Sequence, residues 1–412
     1  MAKKRAFGEG TIYENKKRER WEGQFTYVDP SSGETKRKLM TGKTQKEVSR
    51  KGKKFLQDIE NGLLPDADKI TLQYWLDCWL TDYIKPNVRI KTYEKYESCL
   101  NTYVKPSLGH ISIPKLKAPD VQRLFNDLLT CGGKSQKGLS SSTVRATRRY
   151  LSMALNQAVQ FGIVSKNIIK ATIPPRLVKN EIRPFTAEQA DKLLATAKEG
   201  EYFYLGVKQR RKPTPDHVYH KAMAYMVVSL ALSTGMRLGE VFGLMWSDIN
   251  FAENNIYVQR SLVSSATQGM IFEDPKTKGS KRKISVSAQL SKALVRYQKE
   301  QNWYANLLGD KFINQYDLVF TNIWGKPMDT SNFTSRYFKK MLAQADLDRS
   351  FRFHDLRHTH ATLLLRQGVN IKVISERLGH STVTMTLDTY SHLMPDMQET
   401  AVTALENILN IR

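Results

Sequence analysis

The stretch 351-FRFHDLRHTHATLLL-365 joins a group of ionisable side chains to an apolar run. The apolar residues that follow the histidines predict a helix with one buried side. His354 and Arg357 are three residues apart, so a helix places them on one face. An imidazole beside a guanidinium, which can bind two oxygens at once, suits a phosphate group. We therefore predict that this helix supplies one half of a phosphate-binding site.

A metal site is the main alternative for the same stretch. His354 and His358 are four residues apart, which is a spacing that two ligands on one helix can have. However, Arg357 lies between them and would repel a divalent cation, and no Cys or Glu completes a ligand set. The three cysteines of the chain show no metal-binding spacing either. We therefore predict no metal, and a purely structural histidine cluster remains the other local interpretation.

The charge of the chain indicates its partner. The 412 residues include 64 Lys and Arg against 40 Asp and Glu, which gives a net charge of +24 and a pI near 9.7. Such an excess predicts a polyanionic partner, and specifically nucleic acid. The sequence has no apolar run of spanning length, and its first ten residues lack the hydrophobic core of a signal peptide. We expect a soluble cytoplasmic protein without a membrane partner.

The first part of the chain, residues 1–62, predicts a small basic domain. Three extended segments are separated by turn residues such as 29-DPSSGE-34, and a helix follows from 44-TQKE-47, where Thr44 and Glu47 fit a capping box. Lysines and arginines are dense in both the sheet and the helix. A sheet that is too small to bury much apolar area, yet is this basic, favours a DNA-contacting domain.

Two larger units follow. Residues 68–170 repeat apolar positions every three or four residues, which predicts a helical domain. The proline-bearing stretch 172-TIPPRLVKNEIRPF-185 indicates a linker, and residues 180–412 combine helices with short strands. The basic segment 200–220 shows no periodicity, and we assign it no role. The expected fold class is α+β, mainly α-helical with small β-sheets, in three domains.

Further candidate residues lie on both sides of the opening stretch. In 234-TGMRLGEVFGLMW-246, Arg237 and Glu240 are one helical turn apart, so the carboxylate can hold the guanidinium. An ion pair of this kind is common on protein surfaces and indicates little by itself. Downstream, His380 follows a Leu-Gly turn, and Tyr390 lies ten residues further on.

Five of these side chains, taken together, resemble the signature of a known family. Their order and spacing are similar to those of the tyrosine recombinases, or phage-type integrases. The set consists of Arg237 in TGMRLGE, His354 and Arg357 in HDLRH, His380 in LGHS and Tyr390 in DTY. The resemblance implies an enzyme that cleaves and rejoins DNA at specific sites through a 3′-phosphotyrosine intermediate.

The resemblance implies roles that the chemistry of the residues explains. Arg237 and Arg357 would stabilise the negative charge that develops on the phosphate, and Glu240 would orient Arg237. Tyr390 would be the nucleophile, which needs positive charge nearby because an ordinary tyrosine has a pKa of about 10. His354 resembles the general base of the family. Because the covalent intermediate conserves the bond energy, no ATP, metal or other cofactor is required.

Two roles concern the phosphate and the leaving group. His380 resembles the phosphate-binding histidine of the family. A lysine on a β-hairpin would donate a proton to the leaving 5′ oxygen. We interpret 274-DPKTKGSKRKISVS-287 as that hairpin, and both Lys276 and Lys278 qualify. Lys276 is favoured by its position relative to Arg282.

The resemblance covers essentially the whole chain and also implies partners. Residues 1–62 would bind arm sites on double-stranded DNA, residues 68–170 would bind core sites, and residues 180–412 would be catalytic. Recombination would require a homotetramer on DNA, together with an excisionase or DNA-bending proteins. The resemblance also implies a bacterial host, in which the protein would be associated with the nucleoid. The amphipathic tail 395-PDMQETAVTALENILNIR-412 would dock on its own domain or on a neighbouring protomer.

The first hypothesis is therefore an integrase of a phage or a conjugative element. An alternative with the same chemistry is a Xer-like chromosome resolvase, but such enzymes usually lack a basic N-terminal sheet like the one predicted at residues 8–60. A catalytically inactive DNA-binding regulator is the alternative from a different class. The presence of all five signature residues argues against it.

Overall fold

The computed structural model describes residues 10–30, 33–133, 137–177, 182–200, 214–275 and 280–390, together with residues 402, 405 and 406. The chain divides into two compact units, Met1–Lys179 and Asn180–Arg412. Both units are built mainly from α-helices with small antiparallel sheets, so the predicted fold class is confirmed. Among the helices of the described ranges, none has the length and apolar composition needed to cross a membrane.

The basic N-terminal region forms a three-stranded antiparallel sheet that packs against one helix. Thr44 Oγ1 accepts a hydrogen bond from the Glu47 amide at 3.2 Å, and Glu47 Oε2 accepts one from the Lys43 amide at 2.9 Å. These bonds begin the helix where the capping pattern predicts it. The elements are β1 (Thr11–Asn15), β2 (Arg20–Val28), β3 (Thr35–Gly42) and α1 (Gln45–Glu60).

Close packing between α1 and the sheet depends on a glycine. Phe25 of β2 and Val48 of α1 are both buried in the contact. Gly52 lies one turn after Val48, and a Cβ atom at this position would come within 1.9 Å of Cζ of Phe25. Helix α1 can therefore pack this closely against β2 only because residue 52 has no side chain.

Gly52→Ala is expected to destabilise the sheet region. The added methyl group must displace the Phe25 ring or the helix, and such overpacking typically costs about 1–3 kcal/mol. Hydrogen exchange of the β2 amides in the full chain should become faster. Lys53→Ala, at an exposed position of α1, is the matched control and should leave the exchange unchanged. Slower exchange in Gly52→Ala would contradict the packing argument, since alanine otherwise favours helices.

The rest of the first unit is helical, as its periodicity predicts. Its aromatic side chains form a core: the Trp75 indole donates to a helix carbonyl at 2.9 Å, and the rings of Tyr96 and Tyr150 stack with centroids 4.0 Å apart. Two helices continue into π-helical turns, at Trp79–Ile84 and Leu100–Val104. The helices are α2 (Leu72–Cys78), α3 (Ile90–Cys99), α4 (Lys105–Leu108), α5 (Ala118–Cys131) and α6 (Ser141–Gln160).

The second unit is organised around one buried helix. Its helices are α7 (Ala187–Glu199), α8 (Pro215–Thr234), α9 (Leu238–Phe242), α10 (Ala288–Leu308), α11 (Thr330–Phe333), α12 (Lys339–Gln344), α13 (His354–Arg366), α14 (Ile371–Leu378) and α15 (Val383–Tyr390). The central one is α8, in which Val227, Val228 and Leu230 are fully buried, as its apolar sequence predicts. Because α7, α10 and α13 all pack against α8, the residues that follow its end are held firmly.

The second unit also contains two small sheets. One sheet has the order β4 (Ile249–Asn250), β5 (Asn255–Val258) and β8 (Arg282–Ser285), and the other pairs β6 (Ser261–Ser265) with β7 (Gly269–Glu273). Residues 276–279 of the hairpin predicted at 274–287 lie outside the described residues, so that interpretation stays a prediction. In its described part, β8 pairs with β5, which is a long-range contact.

Candidate active site

Arg237 stands at the junction between α8 and α9. Gly235 ends α8 with a φ of +68°, and Arg237 directly precedes α9. The Arg237 amide donates to Glu240 Oε2 at 3.0 Å, and Nη1 of Arg237 donates to Glu240 Oε1 at 2.7 Å. The expected pairing of the two residues is therefore present. The Arg237 side chain remains 40 % exposed, so a ligand can reach its guanidinium.

A second guanidinium holds Glu240 from another direction. Arg282, at the start of β8, donates from Nη2 to Glu240 Oε2 at 2.9 Å and from Nη1 to Oε1 at 3.3 Å. Both side chains are buried. Burial opposes ionisation of Glu240, but Arg282 and Arg237 outweigh it and lower the pKa of Glu240 to about 2. Glu240 is therefore ionised at neutral pH and aligns two arginines.

Arg357 is only 2 % exposed on α13. Its Nη1 donates to the Gly235 carbonyl at 2.8 Å, and its Nη2 donates to the Leu378 carbonyl at 2.6 Å. These bonds fix the guanidinium between the ends of α8 and α14. Burial, reinforced by the charge of Arg237, lowers the pKa of Arg357 to about 9. The two guanidiniums therefore lie within electrostatic reach of each other, and Arg357 remains charged at neutral pH.

Two histidines accompany Arg357 on α13. The rings of His354 and His358 meet edge to face, with centroids 4.9 Å apart. One side of His354 remains exposed. Its pKa is nevertheless lowered to about 4, first by the loss of solvent around the rest of the ring and then by His358, Arg357 and Arg237. Burial also lowers the pKa of His358. Both imidazoles are therefore neutral at pH 7.

The hydroxyl of Tyr390 lies against one of these histidines. Its oxygen is 2.8 Å from Nδ1 of His358, and the side chain is 1 % exposed. Burial raises the pKa of Tyr390 to about 12, although the charge of Arg357 opposes the rise. The phenol therefore keeps its proton at neutral pH until another group accepts it.

His380 follows Gly379, which ends α14 with a φ of +67°. Its Nδ1 lies 2.8 Å from the hydroxyl of Thr386. Partial burial, followed by the charges of Arg357 and Arg237, lowers the pKa of His380 to about 4. His380 is therefore a neutral imidazole within the field of both arginines.

Some predicted features lie outside the described residues. These are Lys276 and Lys278, residues 201–213 of the basic segment 200–220, and the tail 395–412 except for residues 402, 405 and 406. Asp274 and Lys281, which flank the two lysines, form an ion pair at 3.2 Å. The ends of the segment that carries both lysines are therefore close together, and the segment leads directly into Arg282. The choice between the lysines stays a prediction.

The structure brings the other predicted site residues into one region of the second unit. They are Arg237, Glu240, His354, Arg357, His380 and Tyr390. Sequence reasoning missed Arg282, and it considered His358 only as a metal ligand. The available signal for His358 was its place next to Arg357 and four residues after His354. Within the described ranges, no group of three or more His, Cys, Asp or Glu residues is arranged to hold a metal ion.

This arrangement defines a class of protein. Two charged guanidiniums, neutral imidazoles and a buried phenol are the groups that phosphoryl transfer to a tyrosine requires. In a chain of net charge +24, the phosphodiester substrate is expected to be nucleic acid. The site is thus arranged as expected for an enzyme that acts on the backbone of a nucleic acid.

Comparisons with known proteins give the family. The Phage integrase family matches residues 183–397, and the N-terminal SAM-like domain of phage integrases matches residues 71–129. The chain is 30 % identical to the tyrosine recombinase XerC-like protein of Caldanaerobacter subterraneus subsp. tengcongensis, over 99 % of this chain and 100 % of that protein. The chain therefore belongs to the phage integrase family. It is a tyrosine recombinase, an enzyme of site-specific DNA recombination, as the sequence predicts.

Two further similar proteins belong to mobile elements. The ICEBs1 integrase of Bacillus subtilis is 26 % identical, over 92 % of this chain and 95 % of that protein. The solved structure of the Tn1549 transposon integrase in complex with transposon right end DNA shares the fold, with a TM-score of 0.63 and 24 % identity over 82 % of this chain and 100 % of that chain. The prediction of a mobile-element recombinase is confirmed.

Proposed function

We propose that the protein integrates and excises a phage or conjugative element, and that it cuts and rejoins double-stranded DNA through a 3′-phosphotyrosine bond to Tyr390. The main support for this proposal is the position of the Tyr390 hydroxyl. The oxygen lies 2.8 Å from a neutral imidazole, and Arg357 is near enough to oppose the rise in its pKa. A buried phenol with a proton acceptor and a cation beside it is typical of a nucleophile.

Arg237 and Arg357 would bind the non-bridging oxygens of the scissile phosphate. Negative charge increases on these oxygens as the phenol attacks, so fixed guanidiniums stabilise the transition state more than the ground state. Arg357 is fixed by two backbone carbonyls and Arg237 by Glu240. Because neither side chain must be reoriented at the moment of reaction, each is expected to contribute about 10²–10³ in rate.

The remaining polar groups would complete the phosphate site. When the Thr386 hydroxyl donates to Nδ1 of His380, the neutral ring carries its proton on Nε2 and can donate it to a phosphate oxygen. His354, the general base that the family resemblance implies, lies at the same end of α13 as Arg357. Lys276 or Lys278 would protonate the leaving 5′ oxygen.

Arg282→Met is expected to slow strand cleavage because Glu240 then loses the partner that fixes one side of its carboxylate. Arg237 would keep its charge but lose its fixed direction. By analogy with the partners that orient metal ligands, we expect a loss of about 10- to 100-fold in the single-turnover cleavage rate, with DNA affinity little changed. Because Arg282 acts through Glu240, Arg282→Met with Glu240→Gln should lose much less than the product of the two single losses.

A matched control for Arg282→Met exists in the same unit. Arg260 forms a similar ion pair with the buried carboxylate of Asp248, but neither residue contacts Glu240. Arg260→Met should therefore lower the unfolding temperature without a comparable loss of cleavage. Equal cleavage losses in Arg260→Met and Arg282→Met would contradict the positioning role and indicate general destabilisation.

For DNA recognition, we propose three domains, at residues 1–62, 68–170 and 180–412. The first would bind arm sites and the second core sites. One face of α1 supports DNA contact by the first domain, because most of its exposed side chains are basic. These are Lys46, Arg50, Lys53 and Lys54. Phosphate contacts of this kind predict an affinity that falls steeply with salt.

The proposed assembly is a homotetramer on DNA. Exchange between two duplexes requires four strand cuts, and one Tyr390 can form only one covalent bond at a time. Four protomers therefore supply the four nucleophiles. An excisionase or DNA-bending proteins would select the direction by bringing arm and core sites together.

A chromosome resolvase is the second candidate, and the similarity to a XerC-like protein favours it. The basic N-terminal sheet argues for the mobile-element role, because a second DNA-binding domain is useful only where arm sites exist. Footprinting of the full chain on the ends of the element that encodes it distinguishes the two functions. Protection at sites separate from the core supports the integrase, whereas protection of the core alone supports the resolvase.

Strand cleavage itself is tested with a nicked duplex that carries the core site of the element. After cleavage, the short fragment beyond the nick diffuses away, so the covalent complex is trapped. We expect the full-length protein to form a denaturation-resistant adduct on the 3′ side, equally in the presence of EDTA. If no adduct forms at any salt concentration at which the protein binds DNA, the proposed function is refuted.

A further inference from the structure

The contact between His358 and Tyr390 points to a catalytic residue beyond those already assigned. Nδ1 of His358 lies 2.8 Å from the Tyr390 hydroxyl, and the centroids of the two rings are 5.6 Å apart. On the basis of the proposed function, we propose that His358 accepts the phenolic proton of Tyr390 when the oxygen attacks the scissile phosphate. His358 would thereby hold the role of general base that sequence reasoning gives to His354.

Both partners of this contact are held by their own elements. On α13, the residues on either side of His358 are fixed: Arg357 bonds two carbonyls, and Thr359 Oγ1 accepts from the Phe185 amide at 2.9 Å. Tyr390 is buried in a small apolar cluster with Leu365 and Ile374. Because α13 and α15 both pack against α14, the backbones that carry the imidazole and the phenol are held close to each other.

The protonation states suit transfer in this direction. Tyr390 has a raised pKa of about 12, so its oxygen carries a proton before reaction. Burial, Arg352 and Arg357 lower the pKa of His358, whereas Asp355 opposes them. A neutral His358 with its proton on Nε2 presents the lone pair of Nδ1 to the phenol. His354, which faces His358 edge-on, is also neutral and therefore adds no competing charge.

Atoms and charge are conserved in the proposed step. The Tyr390 oxygen forms a bond to phosphorus, the bond from phosphorus to the 5′ oxygen breaks, and the phenolic proton moves to Nδ1 of His358. The 5′ oxygen takes its proton from the lysine of the 274–281 segment. In rejoining, a 5′ hydroxyl attacks the phosphotyrosine and gives its proton to the lysine, which is neutral after cleavage, while the imidazolium returns its proton to the departing tyrosine oxygen. No oxidant, reductant or further reactant takes part.

A duplex with sulfur in place of the bridging 5′ oxygen tests this step. Thiolate leaves without protonation, so the sulfur substrate removes the need for the lysine but not the need to deprotonate Tyr390. We expect His358→Ala and His358→Gln to lower the single-turnover cleavage rate on the order of 10²-fold with both the oxygen and the sulfur duplex. The double variant Lys276→Ala with Lys278→Ala should be slow with oxygen and close to wild type with sulfur.

Two further measurements separate a base from a structural residue. Free imidazole should restore part of the cleavage rate of His358→Ala, because it can enter the space left by the side chain and accept the proton. It should leave DNA affinity unchanged. His358→Gln keeps a polar group beside Tyr390 but offers no basic nitrogen, so its melting temperature should stay near that of the wild type while its cleavage rate falls.

Several results would overturn the assignment. One such result is a cleavage rate of His358→Gln within twofold of the wild type. Another is a defect of His358→Ala that disappears with the sulfur duplex, since His358 would then protonate the leaving group. Imidazole rescue of His354→Ala but not of His358→Ala would return the role to His354. Absence of an adduct with the wild-type protein would instead refute the proposed function, so the two failures are distinguishable.

Discussion

Tyr390→Phe is expected to abolish the covalent DNA adduct while the protein still folds and binds DNA. The substitution removes only the oxygen that attacks phosphorus. The phenylalanine ring fits the same apolar surroundings because the Tyr390 side chain is 1 % exposed and packs against aliphatic residues. Loss of the hydrogen bond to His358 costs about 1–3 kcal/mol of stability at most, since one buried nitrogen loses its partner.

A second buried tyrosine provides the matched control. Tyr304 is also 1 % exposed, and its hydroxyl donates to Asp216 at 2.8 Å. Tyr304→Phe therefore removes a comparable hydrogen bond, and residue 304 is far in sequence from every signature residue. Denaturing gels of the nicked-duplex reaction should show adduct with Tyr304→Phe and none with Tyr390→Phe. Equal adduct from Tyr390→Phe and wild type would refute the assignment of the nucleophile.

Arg357→Lys is expected to lower the cleavage rate by about 10²–10³-fold even though it keeps the positive charge. The guanidinium uses two of its donors to hold the carbonyls of Gly235 and Leu378 and must use others for phosphate. A lysine ammonium has three donors at a single point and lacks the planar geometry that reaches several acceptors together. The substitution should therefore lose both the fixed position and the bidentate contact.

Two companion variants show whether the loss concerns catalysis or folding. Arg366→Lys, at an exposed position near the end of α13, should cleave like the wild type. Arg237→Lys changes a half-exposed side chain, so the fold should be retained while cleavage still falls by about 10²-fold. Single-turnover rates and melting temperatures of all three variants provide the comparison. Normal cleavage by Arg357→Lys would contradict the phosphate-binding role.

Sequence reasoning identifies the parts of the site that depend on local spacing. Arg237 and Glu240 are one helical turn apart, and the structure joins them through two hydrogen bonds. His354 and Arg357 share one end of a helix for the same reason. Spacing of three or four residues predicts contact because the geometry of an α-helix repeats regardless of what surrounds it.

Contacts between distant residues could not be predicted in this way. Arg282 is 42 residues from Glu240, and His358 is 32 residues from Tyr390. Each contact depends on how helices and sheets pack, and local pattern contains no information on that packing. The Thr44 cap, by contrast, identifies the start of α1 from sequence, because its hydrogen bond with the Glu47 amide is local.

The sheets show the same division between local and long-range information. The short strands predicted within residues 180–412 are present, for example at 255–258 and 282–285, where the side chains favour a half-buried strand. The partner of β8 could not be predicted in this way, because β5 is distant from it in sequence. Pairing of β8 with β5 matters for the site, since it places Arg282 beside Glu240.

Peptide mapping of the trapped adduct tests the central claim most directly. The adduct is formed by the full-length protein on the nicked duplex, digested with nuclease and protease, and examined by tandem mass spectrometry. A nucleotide attached through its 3′ phosphate to the oxygen of Tyr390 is the predicted result. A nucleotide attached to any other residue, or linked to Tyr390 through a 5′ phosphate, would contradict it.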